Sequence, residues 1–142
     1  MFEEDSIRKS KKINSHLIFI CDENGIFDSF RELKEHLGSR GEIYLSLLYC
    51  VPEDYHNHLF EKEITILEKR FSHNLFTSIV KVKSGIYDLI QEFIEAIINS
   101  NTNLKMQFLI FGNAEFVDYV TGVLDYLNID TFSIESNIIL NQ

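Results

Sequence analysis

A three-layer α/β sandwich built on a five-stranded parallel sheet is the fold class this sequence predicts. Three observations carry the prediction. Short, nearly continuous apolar runs suit strands buried on both faces. Stretches of helical period, apolar on one side, lie between them. The two kinds alternate four times before a final strand. Such alternation implies right-handed crossovers and helices on both faces of a parallel sheet.

Residues 1–14 read as a flexible arm or linker remnant, with a short basic cluster at Arg8, Lys9, Lys11 and Lys12. The domain follows over 15–142. Its first strand is the run HLIFIC at 16–21, which stops at the turn formers Asp22-Glu23-Asn24-Gly25. A helix is expected over 26–37, with Phe27, Phe30, Leu33 and Leu37 on one face and Gly38 as its C-terminal cap. The second strand is 42–51, closed by Pro52-Glu53-Asp54. A helix over 58–71 offers Leu59, Ile64, Leu67 and Phe71 for burial. The third strand is 75–82. A third helix, 88–99, has a broad apolar face of Leu89, Ile90, Phe93, Ile94, Ile97 and Ile98, and a polar loop follows it. The fourth strand, 107–111, ends at Gly112-Asn113. A fourth helix over 115–127 and a short last strand over 132–135 complete the set.

Composition narrows the function classes. A chain of 142 residues suits one domain, and 45% hydrophobic residues can form a core without disulfide or metal support. The net charge of -9 argues against nucleic acid as a partner, since phosphate binding needs clustered Lys and Arg. No apolar run is long enough to span a bilayer, so membrane insertion is not expected. The N-terminus lacks the apolar region of a signal peptide. Cys21 and Cys50 are the only cysteines, which points to a reducing, cytoplasmic setting. Both end strands expected to be neighbours, and His56 and His58 follow Cys50. The spacing matches no zinc-finger pattern, so the two read as buried structural thiols and no metal ligand is assigned.

Ligands of parallel sheets sit at the carboxyl ends of the strands. Here those ends are residues 21–25, 50–54, 82–85 and 111–115. In the first loop, Gly25 between strand and helix lets backbone N–H groups approach a phosphate. The full GxGxxG pattern is missing, and Asp22 and Glu23 would repel a pyrophosphate. A plain tight βα turn is the competing reading. In the fourth loop, Gly112 permits close approach of a ligand. The competing reading is a helix N-terminus, with Asn113 as cap and Glu115 favourable to the helix dipole.

The order and spacing of these loops resemble the C-terminal, pyridine-nucleotide-binding domain of the ferredoxin-NADP reductase superfamily. Ile20-Cys21-Asp22-Glu23-Asn24-Gly25-Ile26-Phe27-Asp28 matches the family's first strand and its GGTGIxP loop. Gly25-Ile26 fit, while Glu23 replaces a glycine and Asp28 a proline. The stretch 48–63 is similar to a family segment like YGVRTPEDLYFEEEL. Phe111-Gly112-Asn113-Ala114-Glu115-Phe116-Val117 stands where CGPPxMV is expected. The likeness runs over residues 16–138. It implies a Rossmann-like sandwich with strand order 3-2-1-4-5. The Asp22-Glu23 pair is also similar to the GDE loop of the superfamily's siderophore-interacting branch.

The resemblance implies a site for NAD(P)H. Asn24, Gly25 and Ile26 would face the pyrophosphate, and Lys83 the 2'-phosphate region. Phe111, Gly112 and Asn113 would lie near the nicotinamide. Glu23, Asp28 and Phe111 depart from the pattern in ways that weaken or abolish binding. The family also needs a flavin-binding β-barrel before this domain, which fifteen mainly polar residues cannot supply. FAD is therefore not expected to bind this chain alone. The function expected is a stand-alone NAD(P)-binding-like domain that needs a separate flavin-binding partner. The alternative is a non-catalytic interaction or regulatory domain that keeps the fold without the cofactor. No catalytic residue is assigned on either reading.

Overall fold

The computed structural model describes residues 15–38, 43–54, 59–83, 88–100 and 104–140. The N-terminal arm and the histidines at 56 and 58 lie outside these. Five strands, β1 (Ser15–Cys21), β2 (Tyr44–Pro52), β3 (Leu75–Val82), β4 (Lys105–Gly112) and β5 (Ile134–Ile138), pair in the order β3-β2-β1-β4-β5. Every pairing is parallel. The helices are α1 (Ile26–Gly38), α2 (Leu59–Arg70), α3 (Asp88–Ser100) and α4 (Ala114–Tyr126). Class, strand order and three-layer arrangement are those the sequence predicts.

The two-residue period of a strand sorts the core into two layers. Phe19, Cys21, Leu45, Leu47, Tyr49, Val51, Leu109 and Phe111 point to one face, where Ile26, Phe30 and Leu33 of α1 and Ile64 of α2 cover them. Ile18, Ile20, Leu48, Cys50, Phe108 and Ile110 point to the other face, under Ile90 and Ile94 of α3 and Val117, Val120 and Leu124 of α4. The runs read as continuously apolar because both faces are covered. One polar pair interrupts the second layer: buried His16 and Ser46 meet through His16 Nε2 and Ser46 Oγ at 2.7 Å.

Three expectations shift. The buried stripe of α1 is Ile26, Ser29, Phe30 and Leu33, an i, i+3, i+4, i+7 set. Ser29 breaks the apolar pattern within that set, and the sequence therefore points to Phe27. In the structure Phe27 is 64% exposed, with the Arg31 guanidinium over its ring. Leu89, read as part of the face of α3, is also exposed. The last strand lies further along than expected. Phe132 sits on a single 3-10 turn, Thr131–Ser133, and is almost fully exposed, and pairing with β4 begins only at Ile134.

Two ends of α4 hold the surrounding chain in place. Asn113 caps its start, its side chain accepting the Phe116 N–H at 2.8 Å, as the sequence suggests. Asn128 ends it with φ 63, and the Asn128 and Ile129 N–H groups close back on Asp125 and Leu124. This is a Schellman closure with asparagine in the left-handed position.

Candidate functional site

The carboxyl ends of β1 and β4 are joined at Asp22. The Asp22 N–H donates to the Phe111 carbonyl at 3.2 Å, extending the β1–β4 ladder by one bond. The side chain continues the even-numbered row of β1, toward the α3 and α4 layer. Its Oδ1 accepts the Asn24 and Gly25 N–H groups, both at 2.9 Å, and its Oδ2 accepts the Asn113 N–H at 3.1 Å. The residue is only 8% exposed. One carboxylate thus ties the β1–α1 loop to the start of α4.

Both glycines of the site are required by contacts within the protein. A Cβ on Gly25 would lie 2.1 Å from the Phe111 carbonyl oxygen, so only glycine lets this loop pack on β4. A Cβ on Gly112 would lie 2.7 Å from the Phe116 ring and 2.8 Å from the Asp22 carboxylate.

Beside this junction a cleft of about 650 Å³ opens over the ends of β1 to β4. Its lining includes Asp22, Glu23, Glu53 and Asp54, with Lys83 as the one cation among the described residues. Cys50, Val82 and Phe116 form the apolar part of its wall, and Asn113 reaches it from α4. The negative charge and burial act together on the acids and thiols of the site. Partial burial, then Asp22 and Asp54, push the Glu23 carboxyl above its ordinary value. Burial above all, then Asp22, pushes the Cys50 thiol far up. Burial does the same to Cys21, with further contributions from Cys50 and Asp22. The two thiols are neutral at physiological pH and lie on opposite faces of the sheet.

The structure divides the residues singled out by sequence. Lys83 and Asn113 line the cleft. Asn24 and Gly25 do not line it, and their N–H groups are turned to Asp22. Gly112 lies beneath, against Asp22. Ile26 and Phe111 are buried in the layer under α1 and α2, on the face away from the cleft. Phe111 stacks on Phe19 with ring centres 6.2 Å apart. Cys50, Glu53, Asp54 and Val82 fall in the strand ends named from sequence as the place for a ligand, and Phe116 just beyond the fourth, but none was singled out as a binding residue. Asp22 was read as a turn former and as a charge that repels pyrophosphate, and not as the acceptor of the Asn113 N–H. An aspartate whose side chain caps the amide two residues on is a familiar turn former, and that signal marks Asp22 as part of the turn.

Among the described residues, no helix is long and apolar enough to cross a membrane. No known protein family and no curated protein matches the sequence. Solved structures do match. Ferredoxin-NADP+ reductase from Plasmodium falciparum is 18% identical with a TM-score of 0.60, over 95% of this chain and 54% of that one. The same reductase with 2'P-AMP gives 23% and 0.56, over 94% and 53%. The flavohem-like FAD/NAD-binding domain of nitric oxide dioxygenase from Vibrio cholerae O1 biovar El Tor gives 14% and 0.56, over 86% and 50%. The chain spans about half the length of these structures, and at such identities the likeness establishes the fold.

Proposed function

We propose that this chain is the nicotinamide-nucleotide side of a ferredoxin-reductase-type oxidoreductase, acting with a separate flavin-binding partner. The observation that carries the reading is the cleft at the ends of β1 to β4, where strand order reverses between β1 and β4. Support comes from a solved neighbour of this fold that holds 2'P-AMP, a phosphate-bearing adenine nucleotide. Lys83 would meet such a phosphate, and Cys50, Val82 and Phe116 offer apolar wall for a base. NAD(P)H would supply a hydride, and the flavin that takes it would come from the partner. A narrower form of the proposal places the chain in the siderophore-interacting branch, on the strength of the Asp22-Glu23 pair.

The fit to the nucleotide is incomplete at one point. In a dinucleotide-binding turn the loop N–H groups face the pyrophosphate. Here the Asn24, Gly25 and Asn113 N–H groups are already satisfied by Asp22. That observation favours a second reading, a non-catalytic interaction or regulatory domain that keeps the fold. Calorimetric titration with NADPH and NADH separates the two. Micromolar binding of either ends the second reading. Absence of heat and of any thermal shift at millimolar nucleotide ends the first.

A further inference from the structure

We propose that Asp22 is an internal anion that fills the phosphate place of the cleft and thereby decides what the cleft accepts. The inference rests on reading the cleft as a nucleotide site and names the residue that controls it.

Three donors from two loops, 91 residues apart in the chain, converge on this one carboxylate. They stand at the starts of α1 and α4, where helix dipoles favour negative charge. Together they are the donor set that an exogenous phosphate oxygen would need, and all three are in use. The space is used as well. The room that a glycine leaves at position 112 is filled by the Asp22 carboxylate and the Phe116 ring, and the room at position 25 by the Phe111 backbone. A phosphate entering here meets a fixed like charge that already holds these three donors.

Glu23 and Phe111, the departures most visible in the sequence, act less directly. Glu23 is exposed at the rim and accepts none of the three N–H groups, and the Phe111 side chain lies on the opposite face of the sheet. The obstacle to pyrophosphate is therefore Asp22. Removing its carboxylate frees the three donors.

The test uses the full chain and the variants Asp22→Gly, Asp22→Asn and Glu23→Gly, each titrated by calorimetry with inorganic pyrophosphate and then with NADPH. Asp22→Gly is expected to bind pyrophosphate at least about tenfold tighter than the unaltered chain, the size of effect that a freed helix-terminal anion site gives. Asp22→Asn keeps an acceptor for the loop but turns an amide N–H toward that of Asn113, and a smaller gain is expected. Glu23→Gly removes a rim charge but frees none of the three donors, and is expected to gain clearly less than Asp22→Gly. In the unaltered chain the amide resonances of Asn24, Gly25 and Asn113 are expected to stay in place as pyrophosphate is added, a reading that needs no variant to fold.

The proposal is overturned if those resonances move, if folded Asp22 variants gain nothing, or if Glu23→Gly opens the site instead. A gain for pyrophosphate without one for NADPH would support Asp22 as the internal anion and sink the nucleotide reading of the cleft.

Discussion

Replacing Gly25 by alanine tests how firmly the first loop is fastened to β4. The added Cβ would lie 2.1 Å from the Phe111 carbonyl oxygen and 2.3 Å from its carbon. Both atoms belong to the backbone of β4, a strand paired on both sides, so no side chain can rotate away. Restoring contact distance requires a shift of more than about 1 Å, a typical overpacking strain of up to about 3 kcal/mol. The shift also disturbs the Asp22 N–H bond to Phe111 and the Gly25 N–H bond to the Asp22 carboxylate, at about 1 kcal/mol net. Alanine restricts the unfolded chain and returns up to about 1 kcal/mol. The expected net loss is about 3 kcal/mol, or a fall in Tm of about 10 °C. Urea unfolding followed by circular dichroism measures it. Gly112→Ala serves as comparator, because its Cβ meets the side chains of Phe116 and Asp22, which can give way. Its expected loss is about half as large, roughly 1–2 kcal/mol. A Gly25→Ala protein within about 1 kcal/mol of the parent, or less affected than Gly112→Ala, would refute the reasoning.

Asn113→Ala removes the cap of α4 but leaves the backbone bond to Asp22, and is expected to cost about 1 kcal/mol in urea unfolding. Phe111→Cys, which restores the residue of the resembled motif, is expected to lose about 2–4 kcal/mol from the Phe19 stack. It should bring no gain in NADPH binding, because the side chain faces away from the cleft. Glu23→Gln tests the charge at the rim. The Glu23 carboxyl is raised in the folded state, so the native protein takes up this proton first as pH falls. Ionised Glu23 therefore disfavours the fold at neutral pH, and the penalty fades as pH drops toward the ordinary value of 4.5. Glu23→Gln should be the more stable at pH 7, by less than about 1 kcal/mol for so exposed a group, and its higher Tm should converge on that of the parent at low pH in a thermal melt series.

The fold was legible because a doubly covered parallel sheet writes itself as apolar runs, and β1, β2 and β4 carry that signature, while β3 at the sheet edge buries only Leu75, Val80 and Val82 and carries it weakly. β5 was less so. It pairs on one side only and alternates weakly, and the aromatic at 132 drew the assignment toward a residue that the structure leaves in solvent. On α1 a single buried hydroxyl, Ser29, was enough to turn the expected face away from Ile26. The region of the site was legible from topology, and Lys83 and Asn113 do line the cleft. The part played by Asp22 was not. Repulsion of a ligand can be read from charge alone, whereas occupation of donors depends on Asn113, which reaches the same carboxylate from the far end of the chain.

The central place of β1 has a consequence during synthesis. Its partner on one side follows soon, with His16 opposite Tyr44, but on the other side Ser15 waits for Lys105. At ribosomal rates of about 5–20 residues per second, that flank stays unpaired for roughly 5–20 s. An apolar strand with a bare edge is a template for pairing with another chain. For that interval the most enclosed strand of the finished protein is its most vulnerable, and the yield of folded chain depends on how quickly β4 arrives.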